Sequence, residues 1–233
     1  MNESADRLAE DLVCRLQKLQ DPNRRLLVGI AGIPASGKST FAVLVVDNVN
    51  VRLAKDGERS PAILVGLDGW HLTRTQLDAM EDPKLAHDRR GAHWTFDAAS
   101  YLSFVRRLRE PLDGPITAPS FDHALKDPTP DAVSIQPYHR IVVIEGLYTM
   151  LNADIWKDAA ALLDERWWVH IDLEEAKRRL VKRHVATGVA KDMEEAIWRA
   201  EENDGPNGEY IAENLYEQTL VITSVDDPAH TLP

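Results

Sequence analysis

A single cysteine, Cys14, stands in a chain of 233 residues. The chain therefore closes no disulfide within itself and suits a reducing compartment. No apolar run reaches membrane-spanning length. The opening stretch MNESADRLAEDL lacks the apolar centre of a secretory signal. A soluble, cytoplasmic protein with no membrane partner is the expectation. Basic residues are scarce beside acidic ones, 27 against 38, for a net charge of −11. Binding along a nucleic-acid backbone needs a basic surface, so nucleic acid is not expected as the main partner. There is no internal repeat and no low-complexity tract. No N-K-x-D string occurs, which weakens a guanine-specific switch. What is present, a 44% apolar content over this length, is enough for one α/β domain with a small lid or insert.

The chain is organised around LLVGIAGIPASGKST, residues 26–40. Leu26–Ala31 is an apolar run of buried-strand length. The segment Gly32, Ile33, Pro34, Ala35, Ser36, Gly37, Lys38, Ser39 fits the phosphate-binding pattern G-x-x-x-x-G-K-[ST], with Thr40 beside it. Helical spacing of apolar residues follows from Phe41 to Val51. Gly32 and Gly37 let the backbone turn tightly and bring its N–H groups to a polyphosphate. A helix that starts there turns its positive dipole end on the anion. Lys38 reaches the β- and γ-phosphates, and the Ser39 hydroxyl can ligate Mg²⁺. ATP and Mg²⁺ are the cofactors expected.

Before this core, Leu8, Leu12, Leu16 and Leu19 lie at helical spacing, so residues 1–24 are read as a helix packed on the domain edge. After it, the polar string KDGERS reads as a turn. Ala62–Leu67 is a second buried strand, ending in Asp68. In open α/β sheets ligands sit beyond the carboxyl ends of the strands, so Asp68 lies at the chemical end unless it merely caps a turn. Residues 72–96 mix cations, aromatics and glycine without period and read as a functional loop. Arg89 and Arg90 are a solvated pair, or one of them bonds an anionic or polyhydroxyl substrate. Asp97 starts a helix that runs to Arg109.

Five prolines make residues 115–137 extended and irregular. Phe121 and His123 within it are pocket candidates, with a plain surface histidine as the alternative. Ile141–Ile144 is a third strand ending in Glu145, which can hold Mg²⁺ through water or orient the nucleophile. Residues 152–164 read as a helix, 166–172 as a fourth strand. Leu173–Thr187 is a cationic helix closed by Gly188. Arg179 and Arg183 lie four apart on one face, placed to neutralise a transferring phosphoryl group unless they pair with Glu174 and Glu175. Residues 191–203 are a further helix. The string Asn203–Gly208 reads as a turn that hinges or lines a pocket. Thr219–Ser224 is the fifth strand, followed by a loose tail.

Taken together, GIPASGKST, LDGWHL, RRGAHWTFD, APSFDHALKDP, VVIEGLY, RRLVKRH and ENDGPNGEYI resemble the P-loop kinases that include uridine kinase, pantothenate kinase and phosphoribulokinase. The branch they are most similar to is the uridine kinase-like, fructose-transport-system-kinase-like one. The resemblance spans about residues 25 to 225. It implies a five-stranded parallel sheet flanked by helices, a kinase domain over 25–233 and a lid at about 178–208. It implies transfer of the γ-phosphoryl group of ATP to a hydroxyl of a small metabolite, a nucleoside, pantothenate-like or sugar acceptor. Asp68 matches the carboxylate where a general base is expected, Glu145 the acidic strand end near Mg²⁺, and Arg179 and Arg183 the lid-side basic helix. His71, Arg90, Trp94, Phe121, His123, Tyr148 and Asn207 are the substrate-side candidates. LDGWHL differs from the substrate segment of uridine kinases proper, so the acceptor stays open. A regulatory nucleotide switch or weak NTPase is the rival reading. A homodimer is left open.

Overall fold

The computed structural model describes residues 1–21, 23–54, 60–111, 113–122 and 125–225. Five strands form one parallel sheet: β1 (Leu26–Ala31), β2 (Ala62–Gly66), β5 (Ile141–Glu145), β6 (Glu165–His170) and β7 (Leu220–Thr223), in the order β2-β5-β1-β6-β7. Their near-continuous apolar character fits a sheet covered on both faces. Side chains of β1 and β5 alternate between the two faces. Val28, Ile30, Ile141 and Val143 pack with α1 (Asn2–Lys18) and α2 (Lys38–Leu53). Leu27, Ala31, Val142 and Ile144 face the opposite core, with α5 (Ala98–Leu108) and α6 (Asp154–Ala161). The helix expected at the N-terminus therefore covers a sheet face beside α2. Among the described residues no helix is long and apolar enough to cross a membrane.

Register fixes the functional end. Ile30 of β1 and Gly66 of β2 both pair with Glu145 of β5. The loops after all three strands thus leave the sheet at one level. Gly146 is needed there: a Cβ on it would lie 2.3 Å from Leu67 Cβ.

Three segments differ from expectation. Residues 115–137 are not irregular but contain an antiparallel ribbon, β3 (Ile116–Asp122) and β4 (Asp127–Ile135). A two-stranded ribbon leaves each strand an outer edge, where a proline without N–H costs no ladder bond. The register also shifts between Ala118 and Ser120, at Pro119. Residues 72–96 hold two short helices, α3 (Arg74–Asp78) and α4 (Pro83–Asp88). Thr73 and Gln76 form a capping box on the first, and Asp82 caps the second ahead of its Pro83. The string Asn203–Gly208 is helical. After α7 (Leu173–Ala186) and α8 (Met193–Arg199), a π-helical turn (Ala200–Asp204) runs straight into α9 (Gly205–Glu213). A Cβ at Gly205 would sit 2.9 Å from Ala200 O, so glycine permits the wide turn. His123, most of the KDGERS turn and the tail beyond Val225 lie outside the described residues.

Candidate active site

The phosphate loop links β1 to α2. Gly37 has φ 86° and Ala35 φ 62°, so the loop closes through two left-handed residues. A Cβ on Gly32 would meet Ser36 Oγ at 2.5 Å and Val169 O at 2.7 Å. No side chain caps the start of α2, and its first turn has no acidic residue. The free N–H groups and dipole end are therefore open to an anion. Ser36 is buried and its hydroxyl lacks a hydrogen-bond partner among the described residues.

Lys38, Ser39, Glu145 and Asp68 meet at this end of the sheet. Ser39 Oγ donates to Glu145 Oε2 at 3.1 Å. Burial holds the Lys38 ammonium below its ordinary value, opposed by the charges of Glu145 and Asp68. Burial likewise raises the Glu145 carboxyl, opposed by Lys38, and Asp68 raises it further. Mutual attraction between Lys38 and Glu145 opposes that desolvation. The Asp68 side chain is 49% exposed, so it opens to whatever enters. Among the described residues no three or more His, Cys, Asp or Glu side chains cluster as a metal site. One hydroxyl and one carboxylate in contact fit a divalent ion carried in on a nucleotide rather than a resident metal.

From the other side, α7 to α9 come over the loop. Gly208 of α9 is packed so that a Cβ would touch Pro34 Cδ at 3.2 Å and Ile33 Cβ at 3.4 Å. Arg183 bears electrostatically on Lys38. Its side chain makes no ion pair among the described residues. Arg179 is more engaged: its Nε donates to Glu175 Oε1 at 2.7 Å and its Nη1 to Ser224 Oγ at 3.1 Å. Glu175 also takes both Nε and Nη2 of Arg178, and these arginines pull its carboxyl down to about 2. Asp204, not singled out from the sequence, also acts on Lys38 and holds the buried His184 at 2.9 Å. Its signal was hidden in a string that looks like a turn.

The opposite side of the site is built on the LDGWHL turn. A Cβ on Gly69 would lie 2.3 Å from Pro119 O, so the β3–β4 ribbon rests on this turn. His71 Nδ1 lies 2.8 Å from Asp68 O, and its ring sits against Phe96 and Phe121 at centroid distances of 4.0 and 4.8 Å. Arg90 stacks over Phe121 and binds Leu72 O and Lys126 O, with Asp127 at 3.5 Å. It thus ties the loop to the ribbon. Tyr148 is fully buried, donates to Gly91 O at 2.9 Å, and its hydroxyl is pushed upward by burial. Asn207 is buried, with Arg89 Nη2 3.5 Å from its Oδ1. Trp94 is 40% exposed and makes no ring contact among the described residues. His93 stacks on Tyr210 at 4.5 Å instead.

No family model matches the chain. A candidate uridine kinase from Schizosaccharomyces pombe is 34% identical over 213 residues, 91% of this chain and 89% of that protein. An ATP-dependent kinase-like protein from Aspergillus versicolor is 49% identical over 151 residues, 64% of this chain and 88% of that one. A candidate fructose transport system kinase from Silicibacter sp. TM1040 superposes with a TM-score of 0.81 at 27% identity, covering 94% of this chain and 98% of the other.

Proposed function

The chain belongs to the P-loop kinase family of the uridine kinase-like proteins, and from that premise we propose that it transfers the γ-phosphoryl group of ATP to a hydroxyl of a small metabolite. The observation that carries this reading is the meeting of Lys38, Glu145 and Asp68 at the mouth of the phosphate loop. ATP supplies the phosphoryl group, as the name of the Aspergillus versicolor relative suggests. The loop N–H groups and Lys38 hold its phosphates. Ser39 and Glu145 would hold Mg²⁺, which would neutralise phosphate charge when bound. Asp68 takes the proton of the acceptor hydroxyl at its carboxylate and aligns that oxygen for attack. Arg183 adds positive charge at the transferring group, and Glu175 positions Arg179 beside it. Residues 178–208 serve as the lid that excludes water. The acidic surface suits a small acceptor rather than nucleic acid, and a cytoplasmic setting fits the lone Cys14.

The test is ADP release from Mg²⁺-ATP with and without acceptor. Release should depend on the acceptor and vanish in Lys38→Ala. Release that ignores every acceptor would favour a nucleotide switch or weak NTPase.

A further inference from the structure

Arg89 sits at the end of α4, half-buried, on the acceptor side of the site. Its Nε is buried and has no hydrogen-bond partner among the described residues. Its one side-chain bond there is long and to a neutral group, Nη2 to Asn207 Oδ1 at 3.5 Å. Among the described residues no ion pair involves it, in a chain with 38 acidic residues.

Arg90 Nε and Arg25 Nη2 are likewise unpaired among the described residues, but those side chains have other strong partners: Arg90 and Arg109 reach carboxylates and carbonyls, and the fully buried Arg25 is held by two carbonyls. The contrast with Arg178 is direct. Arg178 grips Glu175 with its Nε and Nη2 at 2.8 and 2.7 Å. That side-on edge matches the two oxygens of a carboxylate or phosphate. The same edge of Arg89 meets no carboxylate among the described residues: its Nε is unpaired and its Nη2 has only the long bond to Asn207 Oδ1. Leaving a desolvated guanidinium nitrogen unpaired is costly, so an oxyanion is the group that the position lacks.

The placement suits an acceptor. Arg89 acts electrostatically on Tyr148, as does Asp204, and Asp204 acts on Lys38. Asn203 Nδ2 donates to Arg90 O at 3.1 Å, which ties the backbone next to Arg89 to the π-helical turn.

We propose that the acceptor is an anionic alcohol whose carboxylate or phosphate is held by the Nε–Nη2 edge of Arg89, with its hydroxyl at Asp68. Asn207 keeps that edge oriented and yields to the ligand. This inference rests on the kinase reading and narrows its substrate class. Neutral nucleosides and free sugars are then poor acceptors.

The experiment uses the full chain with Mg²⁺-ATP and matched acceptor pairs: glycerate against glycerol, pantothenate against pantothenol, fructose 6-phosphate against fructose. The first two pairs probe a carboxylate and the third a phosphate. An anionic member should exceed its neutral partner in kcat/KM by on the order of 10–100-fold, the worth of charge-assisted hydrogen bonds. Arg89→Gln should raise KM for that acceptor by a similar factor of roughly 10–100 with kcat little changed, and Arg89→Lys should restore part of it. A neutral partner used equally well, or an unchanged KM in Arg89→Gln, overturns the inference while the kinase reading stands. If no acceptor raises ADP release, the kinase reading fails, and thermal melting decides the anion site. Malonate or inorganic phosphate that raises the Tm of wild type and not of Arg89→Gln supports it. Equal shifts in both proteins overturn it.

Discussion

Ser39 Oγ and Glu145 Oε2 lie 3.1 Å apart although 106 positions separate them in the chain. The first opens α2, the second closes β5, and the β1–β5 register brings them level. Each should therefore matter to the same ion. Ser39→Ala and Glu145→Gln should each raise the Mg²⁺ concentration for half-maximal rate by about 10–100-fold. The double variant should be little worse than the worse single one, since the pair acts as a unit. A Mg²⁺ titration of all three checks this, and additive losses would contradict it.

Arg179 and Arg183 of α7 should differ. Arg179 is tethered to Glu175 and Ser224, whereas Arg183 has no ion pair among the described residues and acts on Lys38. Arg183→Ala should lower kcat by on the order of 10³-fold, as loss of a phosphoryl-facing arginine does. Arg179→Ala should cost less. Equal or reversed losses in steady-state rates would show that Arg179 is the residue over the phosphate.

Gly69 has room for no side chain, because a backbone oxygen of Pro119 fills that space. A backbone atom cannot rotate away. Gly69→Ala should cost about 1–3 kcal/mol of stability, as overpacking does. It should also push the β3–β4 ribbon off the turn that carries Asp68. Denaturant unfolding beside acceptor KM measures both, and a variant of wild-type stability would contradict the packing.

Acid should weaken the fold through His139. Its buried ring is held below the ordinary value of 6.5, by burial first and Arg25 second. Its Nδ1 accepts from Gln136 N–H at 3.0 Å, which needs an unprotonated nitrogen. A lowered folded value gives stability that is fully present above 6.5 and is lost as pH falls through the folded value. His93, lowered by burial, acts in the same direction. Tm should therefore fall between about pH 7 and 5. His139→Asn keeps an acceptor without titrating, so the fall should flatten. An unchanged slope would rule His139 out.

Much of this architecture is legible in the sequence because parallel strands are short apolar runs with nothing to alternate. Leu26–Ala31 and Ile141–Glu145 stand out for that reason. The β3–β4 ribbon was hidden because prolines forbid a central strand yet are tolerated in a two-stranded ribbon with a register shift. The helical state of Asn203–Gly208 was hidden because the string carries turn residues, which a π-helical turn leading into α9 accommodates. Of the site, the phosphate loop reads directly from spacing. Which arginine of 89 and 90 lacks a carboxylate partner does not, since it depends on Asp127 and Leu72 O reaching Arg90 while Arg89 meets only Asn207 among the described residues.

The central claim is that Lys38, Asp68 and Glu145 form a centre that passes a phosphoryl group to an alcohol. The most direct measurement follows the γ-phosphoryl label of ATP in wild type and Asp68→Asn. The label should appear on the organic acceptor in wild type. The variant should do so about 10²–10⁴-fold more slowly while binding ATP normally. Label found in inorganic phosphate, at the same rate in both proteins and whether or not an acceptor is present, would contradict the account.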